Sequence, residues 1–141
     1  MTLVNRTWGI VPLLILLLIM FSCTGSSEGK LIGTWKGSDY LFLKTSGEDV
    51  VVTINGGLTQ HLSSKLILSE DGTYQKLVGE YDNGKGTWEL KGNQLITKGV
   101  LGDEIYKLLK VTDKELVLTE DIALDTPKGK LSGKITLSYS R

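Results

Sequence analysis

The sequence predicts an all-β chain, an antiparallel up-and-down barrel of about eight to ten strands behind an N-terminal signal helix and a short tether. Three observations carry that prediction. Apolar residues alternate with polar ones in short runs, the period of a half-buried strand. Glycine is frequent (17 of 141 residues) while only two prolines occur, so tight turns are easy to build at short intervals. Almost every inferred connection is a short hairpin, whereas a Greek-key sandwich needs long crossings. A sheet of this kind must hide its edges, and closure into a barrel removes them.

The elements follow in order. Leu31, Gly33, Trp35 and Gly37 share one face of a first strand, with Thr34 and Lys36 opposite. Tyr40 to Lys44 is a short apolar run that fits either a strand or a helical turn. Val50, Val52 and Ile54 lead into Asn55-Gly56-Gly57, residues that tolerate positive φ and predict a hairpin turn. A long strand is expected next, with Leu58, Leu62, Leu66 and Leu68 on one face and Thr59, His61, Ser63 and Lys65 on the other. Ser69 to Gly72 turns the chain into Thr73–Val78, and Asp82-Asn83-Gly84 is expected to turn it into Gly86–Leu90. Lys91-Gly92-Asn93 precedes Gln94–Thr97, then come Ile105–Val111, a turn at Thr112–Lys114, and Leu116–Thr119. The last strand is the clearest. Leu131, Gly133, Ile135, Leu137, Tyr139 and Arg141 share one face, and Ser132, Lys134, Thr136, Ser138 and Ser140 the other.

The N-terminus reads separately. Arg6 precedes an apolar run from Ile10 to Phe21, then Ser22, the single cysteine Cys23, and a small polar stretch, Thr24 to Gly29. The run is about a dozen residues, against the ~20 a membrane-spanning helix needs. A charged start, an apolar middle and a small residue before the cut fit a cleaved signal, and Pro12 disfavours a long uninterrupted helix. The competing readings are a true transmembrane anchor and an ordinary secretory signal that ends near a cysteine. Met20-Phe21-Ser22-Cys23 resembles the lipobox of bacterial lipoproteins, although methionine and phenylalanine depart from its strictest form. That resemblance implies a diacylglycerol on the Cys23 thiol and an acylated new N-terminus. Lipidation also removes the liability of a lone thiol in an oxidising compartment, and two or more acyl chains anchor stably where one is marginal. The expected organisation is therefore a signal peptide over 1–22, a lipidated cysteine and tether over 23–30, and a barrel domain over 31–141.

Cleavage before Cys23 removes one basic residue, Arg6, from 16 basic and 16 acidic, leaving net −1. No basic excess exists to hold phosphates, so nucleic-acid binding is not expected. With one cysteine there is no intrachain disulfide, and with one histidine besides there is no expected zinc, haem or other cofactor site. The acidic pairs Glu70-Asp71, Asp103-Glu104 and Glu120-Asp121 lack the ligand spacing of a calcium loop and read as solvated turns or strand ends.

Gly33-Thr34-Trp35 opens the barrel region. Asp71-Gly72-Thr73-Tyr74, Gly86 to Leu90, Tyr106 to Leu109 and Glu115 to Leu118 follow it. In order and spacing these segments resemble the lipocalin-like domain lipoproteins of Gram-negative bacteria, over roughly Leu31 to Arg141. In that family the tryptophan of a Gly-x-Trp motif packs across the closed end of the barrel and a basic residue of the last strand stacks on it. The resemblance implies that Gly33, Trp35 and Arg141 close the barrel here; Lys134 has the wrong parity for the role. It also implies a cavity for a small apolar ligand, for which Trp35, Tyr74, Trp88 and Tyr139 are the candidate interior residues. A barrel packed solid, serving as a structural or protein-interaction module, is the alternative. His61 is expected on the solvent face, where Ser63 alone beside it does not make a catalytic triad, so no enzymatic activity is expected. The expected location is a membrane surface: exported, held by the lipid anchor, at the outer membrane since Thr24 is not an aspartate retention signal, and facing either the periplasm or the cell exterior.

Overall fold

The computed structural model describes residues 26–47 and 51–141. Cys23, its apolar leader and residues 24–25 of the tether lie outside the described residues, as does Val50. Within them, eight antiparallel strands in sequential order form a closed barrel. A short helix, α1 (Ser27–Leu31), precedes β1 (Gly33–Ser46). A second helix, α2 (Val51–Leu62), separates β1 from β2 (Ser64–Leu68). Hairpins then join β3 (Thr73–Val78), β4 (Tyr81–Lys91), β5 (Gln94–Gly99), β6 (Gly102–Val111), β7 (Glu115–Thr126) and β8 (Gly129–Ser140). β8 returns to pair with β1 from Lys36↔Ser140 to Ser46↔Ser132.

Alternation decides what fills the barrel. Trp35, Leu66, Leu68, Tyr74, Trp88, Leu95, Tyr106, Leu116, Leu118, Leu137 and Tyr139, with Leu31 of α1, form one buried cluster. One after another along β8, Leu131, Gly133, Leu137 and Tyr139 are buried while Lys134 and Ser140 are exposed, the pattern of a strand with one dry face.

Besides Leu31, which ends α1 and does not open β1, two segments differ from the sequence reading. Val51–Leu62 is a helix, not a strand pair joined at Asn55-Gly56-Gly57. Leu58 and Leu62 are four apart as well as even-numbered, so the apolar spacing fits both periods. Tertiary packing selects the helix. β1 is bonded to β2 only over Gly33–Lys36 and then leaves it to follow β8, and α2 occupies the opening. The fit depends on Gly37, where a Cβ would lie 1.8 Å from the His61 carbonyl oxygen. Ser63 and Ser64 hydroxyls donate to the Gln60 and His61 carbonyls at 2.9 and 2.7 Å, satisfying the open helix end. The second difference is at Asp82-Asn83-Gly84, which lies inside β4; the hairpin turns one step earlier at Gly79-Glu80, with Gly79 at φ 63°. A register shift between Gln75 and Leu77 absorbs the change.

β6 and β7 part company above the barrel floor. They pair only from Lys107↔Thr119 to Val111↔Leu116. Beyond that, β6 is bonded to β5 alone and β7 to β8 alone, which leaves a split in the wall.

Gly37→Ala is expected to destabilise the fold by about 1–3 kcal/mol in urea denaturation, since the added methyl meets backbone and not a yielding side chain. Gly29→Ala, whose Cβ would lie 3.8 Å from Ser26 Oγ, is the matched control and should be neutral or slightly stabilising.

Candidate functional site: a packed floor and a chamber under α2

The floor is built around Trp35. Its ring is fully buried, and its indole N–H donates to the Leu31 carbonyl at 2.7 Å. Arg141, just beyond β8, covers the ring with its guanidinium carbon 4.0 Å from the ring centroid. The same guanidinium donates to three backbone carbonyls: Asp113 at 2.7 Å, Ile32 at 2.6 Å and Lys30 at 3.2 Å. It therefore ties the β6–β7 turn and the α1–β1 junction to the end of β8. Gly33 passes directly beneath it. A Cβ there would come within 2.5 Å of the guanidinium, and the backbone has φ 139°, a conformation that favours glycine. Gly33, Trp35 and Arg141 are thus brought together in one contact set.

Tyr74 and Trp88 belong to the packed interior. Trp88 donates its indole N–H to the Ser69 carbonyl at 2.9 Å. The Tyr74 hydroxyl fills the space over Gly99, where a Cβ would stand 2.4 Å from it. Of the four candidate ligand residues, Tyr139 lines an open hollow.

The open space is a chamber of about 230 Å³ at the other end of the barrel, roofed by α2. Gly57, Gln60 and His61 of α2 contribute the roof, Tyr40 of β1 and Tyr139 of β8 the aromatic walls, and Val78, Ile135 and Leu137 an apolar side. Lys76 and Glu120 also face it. Close approach of the roof to β1 again uses a glycine: a Cβ on Gly57 would be 2.9 Å from the Tyr40 hydroxyl.

His61 is buried, contrary to the expectation of a solvent-facing residue. The helix, not a strand, sets its direction. Its Nε2 lies 2.7 Å from the Ser138 carbonyl oxygen, and since a carbonyl only accepts, Nε2 carries the proton. Its ring meets Tyr139 edge-on, with centroids 4.7 Å apart and planes at 78°. Burial lowers the His61 pKa below its ordinary 6.5, partly countered by the Ser138 hydrogen bond.

Three charged side chains meet beside the chamber, Lys76, Glu104 and Glu120. Lys76 stands 3.7 Å from Glu104 and 3.4 Å from the Tyr106 hydroxyl, which in turn donates to Glu104. Glu120 is half-buried; desolvation first, then the negative Glu104, raises its pKa above 4.5, and Lys76 pulls the other way. Tyr40, Tyr106 and Tyr139 are all pushed up, each chiefly by burial. Strand parity would have found these residues. Leu116 and Leu118 lead to Glu120, and Tyr74 leads to Lys76 and Val78.

Glu120 also borders a second hollow, a cleft of about 390 Å³ in the split between β6 and β7, lined by Gln94, Ile105, Lys107, Thr119, Asp121 and Lys134 among others. The carboxylate therefore stands at the boundary of chamber and cleft. Among the described residues, no group of three or more His, Cys, Asp or Glu side chains is placed to hold a metal ion.

Comparison with known proteins adds no family. No family model matches the chain, and no curated protein matches it in sequence.

Arg141→Ala is expected to cost about 1.5–3 kcal/mol in urea denaturation, through lost charge-assisted hydrogen bonds and the uncovered indole. Arg141→Lys should recover only part of that, because an ammonium cannot reproduce the three-way fork.

The buried ionisable groups give stability a pH dependence of two opposed signs. A lowered His61 pKa means the unfolded chain takes up its proton first, so that contribution is full above about pH 6.5 and is lost as pH falls below it. A raised Glu120 pKa acts the other way, with stability lost as pH rises from about 4.5 through the raised value. In urea midpoints measured from pH 4 to 8 (about the range these groups span), His61→Gln should flatten the acid-side loss, and Glu120→Gln should raise the neutral-pH plateau. Profiles unchanged by both substitutions would contradict this account of the chamber.

Proposed function

We propose that this chain is a membrane-anchored lipoprotein whose lipocalin-like barrel binds a small molecule in the chamber beneath α2. The observation that carries the reading is the chamber itself: a half-open hollow, roofed on one side by a helix, between a packed floor and the barrel mouth. Gly33, Trp35 and Arg141 in mutual contact at the closed end support the lipocalin-like resemblance. The lining refines the expected ligand. Val78, Ile135 and Leu137 suit an apolar body, while Lys76, Glu120 and Gln60 require a polar group as well.

In this reading the barrel is exported and held at the outer membrane, on its periplasmic or exterior side; the lipobox-like sequence around Cys23 is what supports the anchor. A binding role is favoured over an enzymatic one by the state of His61. Its Nε2–H is held by the Ser138 carbonyl and its ring packs on Tyr139. The Ser64 hydroxyl of the lining donates to the His61 backbone carbonyl and not to the imidazole, so this serine–histidine pair is not an activated nucleophile. No metal or other cofactor is invoked, and no nucleic acid.

A second reading, a protein-interaction lipoprotein, draws on a different observation. Val100, Leu101 and Ile105 are exposed at 92%, 77% and 57% beside the split between β6 and β7. A partner captured by crosslinking and lost on Leu101→Ser/Ile105→Ser would favour it.

Two measurements test the main reading. In a bacterial host, metabolically supplied palmitate should label the wild-type chain and not Cys23→Ser, which should also leave the membrane fraction; a labelled Cys23→Ser chain would refute the anchor. Organic extracts of protein purified from that host should contain a small molecule by mass spectrometry. Leu137→Trp, which fills the chamber, should lower its recovery at least about tenfold, a ~1.4 kcal/mol change.

A further inference from the structure

The chamber holds an unbalanced charge, and we propose that its ligand is a small amphiphilic cation, an ammonium group on a short apolar body, paired with the Glu120 carboxylate. The inference rests on the reading of the chamber as a ligand site and names the chemical class that site selects.

The charges around the chamber come from four elements. Lys76 reaches it from β3 and is paired behind the lining with Glu104 of β6, Glu120 projects from β7, and His61 hangs from α2. Tyr40, Tyr106 and Tyr139 complete the ionisable set from β1, β6 and β8 and stay as uncharged phenols. His61 is neutral at physiological pH, its Nε2–H held by the Ser138 carbonyl. Lys76 is already engaged, with Glu104 and with the Tyr106 hydroxyl. On the chamber side two carboxylates thus stand against one ammonium; on the cleft side Glu120 shares the lining with Asp121, Lys107 and Lys134, of which Lys134 is paired with Asp121 at 3.7 Å. The surplus sits on Glu120, which makes no hydrogen bond or ion pair with any described residue.

A half-buried carboxylate without a partner is costly, and a ligand that supplies the partner recovers that cost. An anionic ligand would face Glu120 directly and find Lys76 occupied. A neutral apolar ligand would strip water from the carboxylate and give nothing back. An ammonium pairs with it through charge-assisted hydrogen bonds, and the faces of Tyr40 and Tyr139 can take part in cation–π contact. The apolar side formed by Val78, Ile135 and Leu137 then receives the body of the molecule. The size is bounded too. A volume of about 230 Å³ equals roughly seven waters at ~30 Å³ each, enough for a chain of about six carbons.

The test compares three probes of one body, hexylammonium, hexanol and hexanoate, titrated calorimetrically into the full chain in lipid nanodiscs at pH 7.5, with empty nanodiscs as reference. Hexylammonium should bind at least about tenfold more tightly than hexanol (~1.4 kcal/mol), with hexanoate weakest. Glu120→Gln should abolish the preference for the ammonium and leave hexanol within about twofold of wild type. The wild-type ranking stands as a result even if the variant folds poorly. Hexanol binding as well as hexylammonium, hexanoate binding best, or a preference that survives Glu120→Gln would each overturn the cationic class while leaving the chamber a ligand site. Absence of binding by all three probes would overturn the chamber reading together with it.

Discussion

The closed end of this barrel depends on one contact: the Arg141 guanidinium lying over the buried Trp35 ring while bonded to the carbonyls of Lys30, Ile32 and Asp113. Those three carbonyls belong to the segment before β1 and the turn before β7, and Arg141 itself directly follows β8. Residues more than a hundred positions apart are therefore held at one point. Gly33 exists as glycine because the guanidinium leaves no room for a Cβ. The packed floor of leucines and aromatics sits directly above, and its solidity follows from the alternation of strands converging on a closed ring.

The other end has no such contact, and its architecture follows from a different constraint. β1 abandons β2 after Lys36, so the wall opens there. A helix fills the gap because Gly37 lets the His61 carbonyl approach the strand. Roofing part of the mouth with α2 narrows what would otherwise be a funnel into a half-open hollow. It also buries His61 and, with the split between β6 and β7, leaves Glu120 between two hollows. The same fold is thus dry and packed below, polar and hollow above. A binding site needs both parts: a rigid scaffold and a pocket whose polar groups are few and fixed.

Strand parity made much of this legible in the sequence. The inner face of β8, the hairpin at Gly92-Asn93 and the extent of β3 follow from period-two alternation and turn chemistry, whereas the set Gly33, Trp35 and Arg141 is what the lipocalin-like resemblance implies. The roof was not legible. Leu58 and Leu62 satisfy a strand and a helix equally, and Asn55-Gly56-Gly57 carries turn chemistry, so local signals favoured a hairpin; the deciding contact, Gly37 against His61, joins residues far apart in the chain. The chamber's charges were hidden for a related reason. Parity puts Lys76 and Glu120 on the inner face, but Glu120 lies one residue beyond the Leu116–Thr119 strand read from the sequence, and only closure of the ring brings the two together. Among the aromatic candidates, sequence cannot separate a ring that packs the floor, as Trp35 and Trp88 do, from one that borders a hollow, as Tyr139 does.

The central claim is that the interior is divided into a filled floor and an open chamber bounded by His61, Glu120 and Tyr139. A crystal structure of the protein purified from its expressing host tests it most directly. The account predicts discrete electron density in that chamber, from a bound molecule or ordered water touching Glu120, above a floor with none. Side chains of Tyr40, Ile135 and Leu137 collapsed together with α2 to fill the space would contradict it.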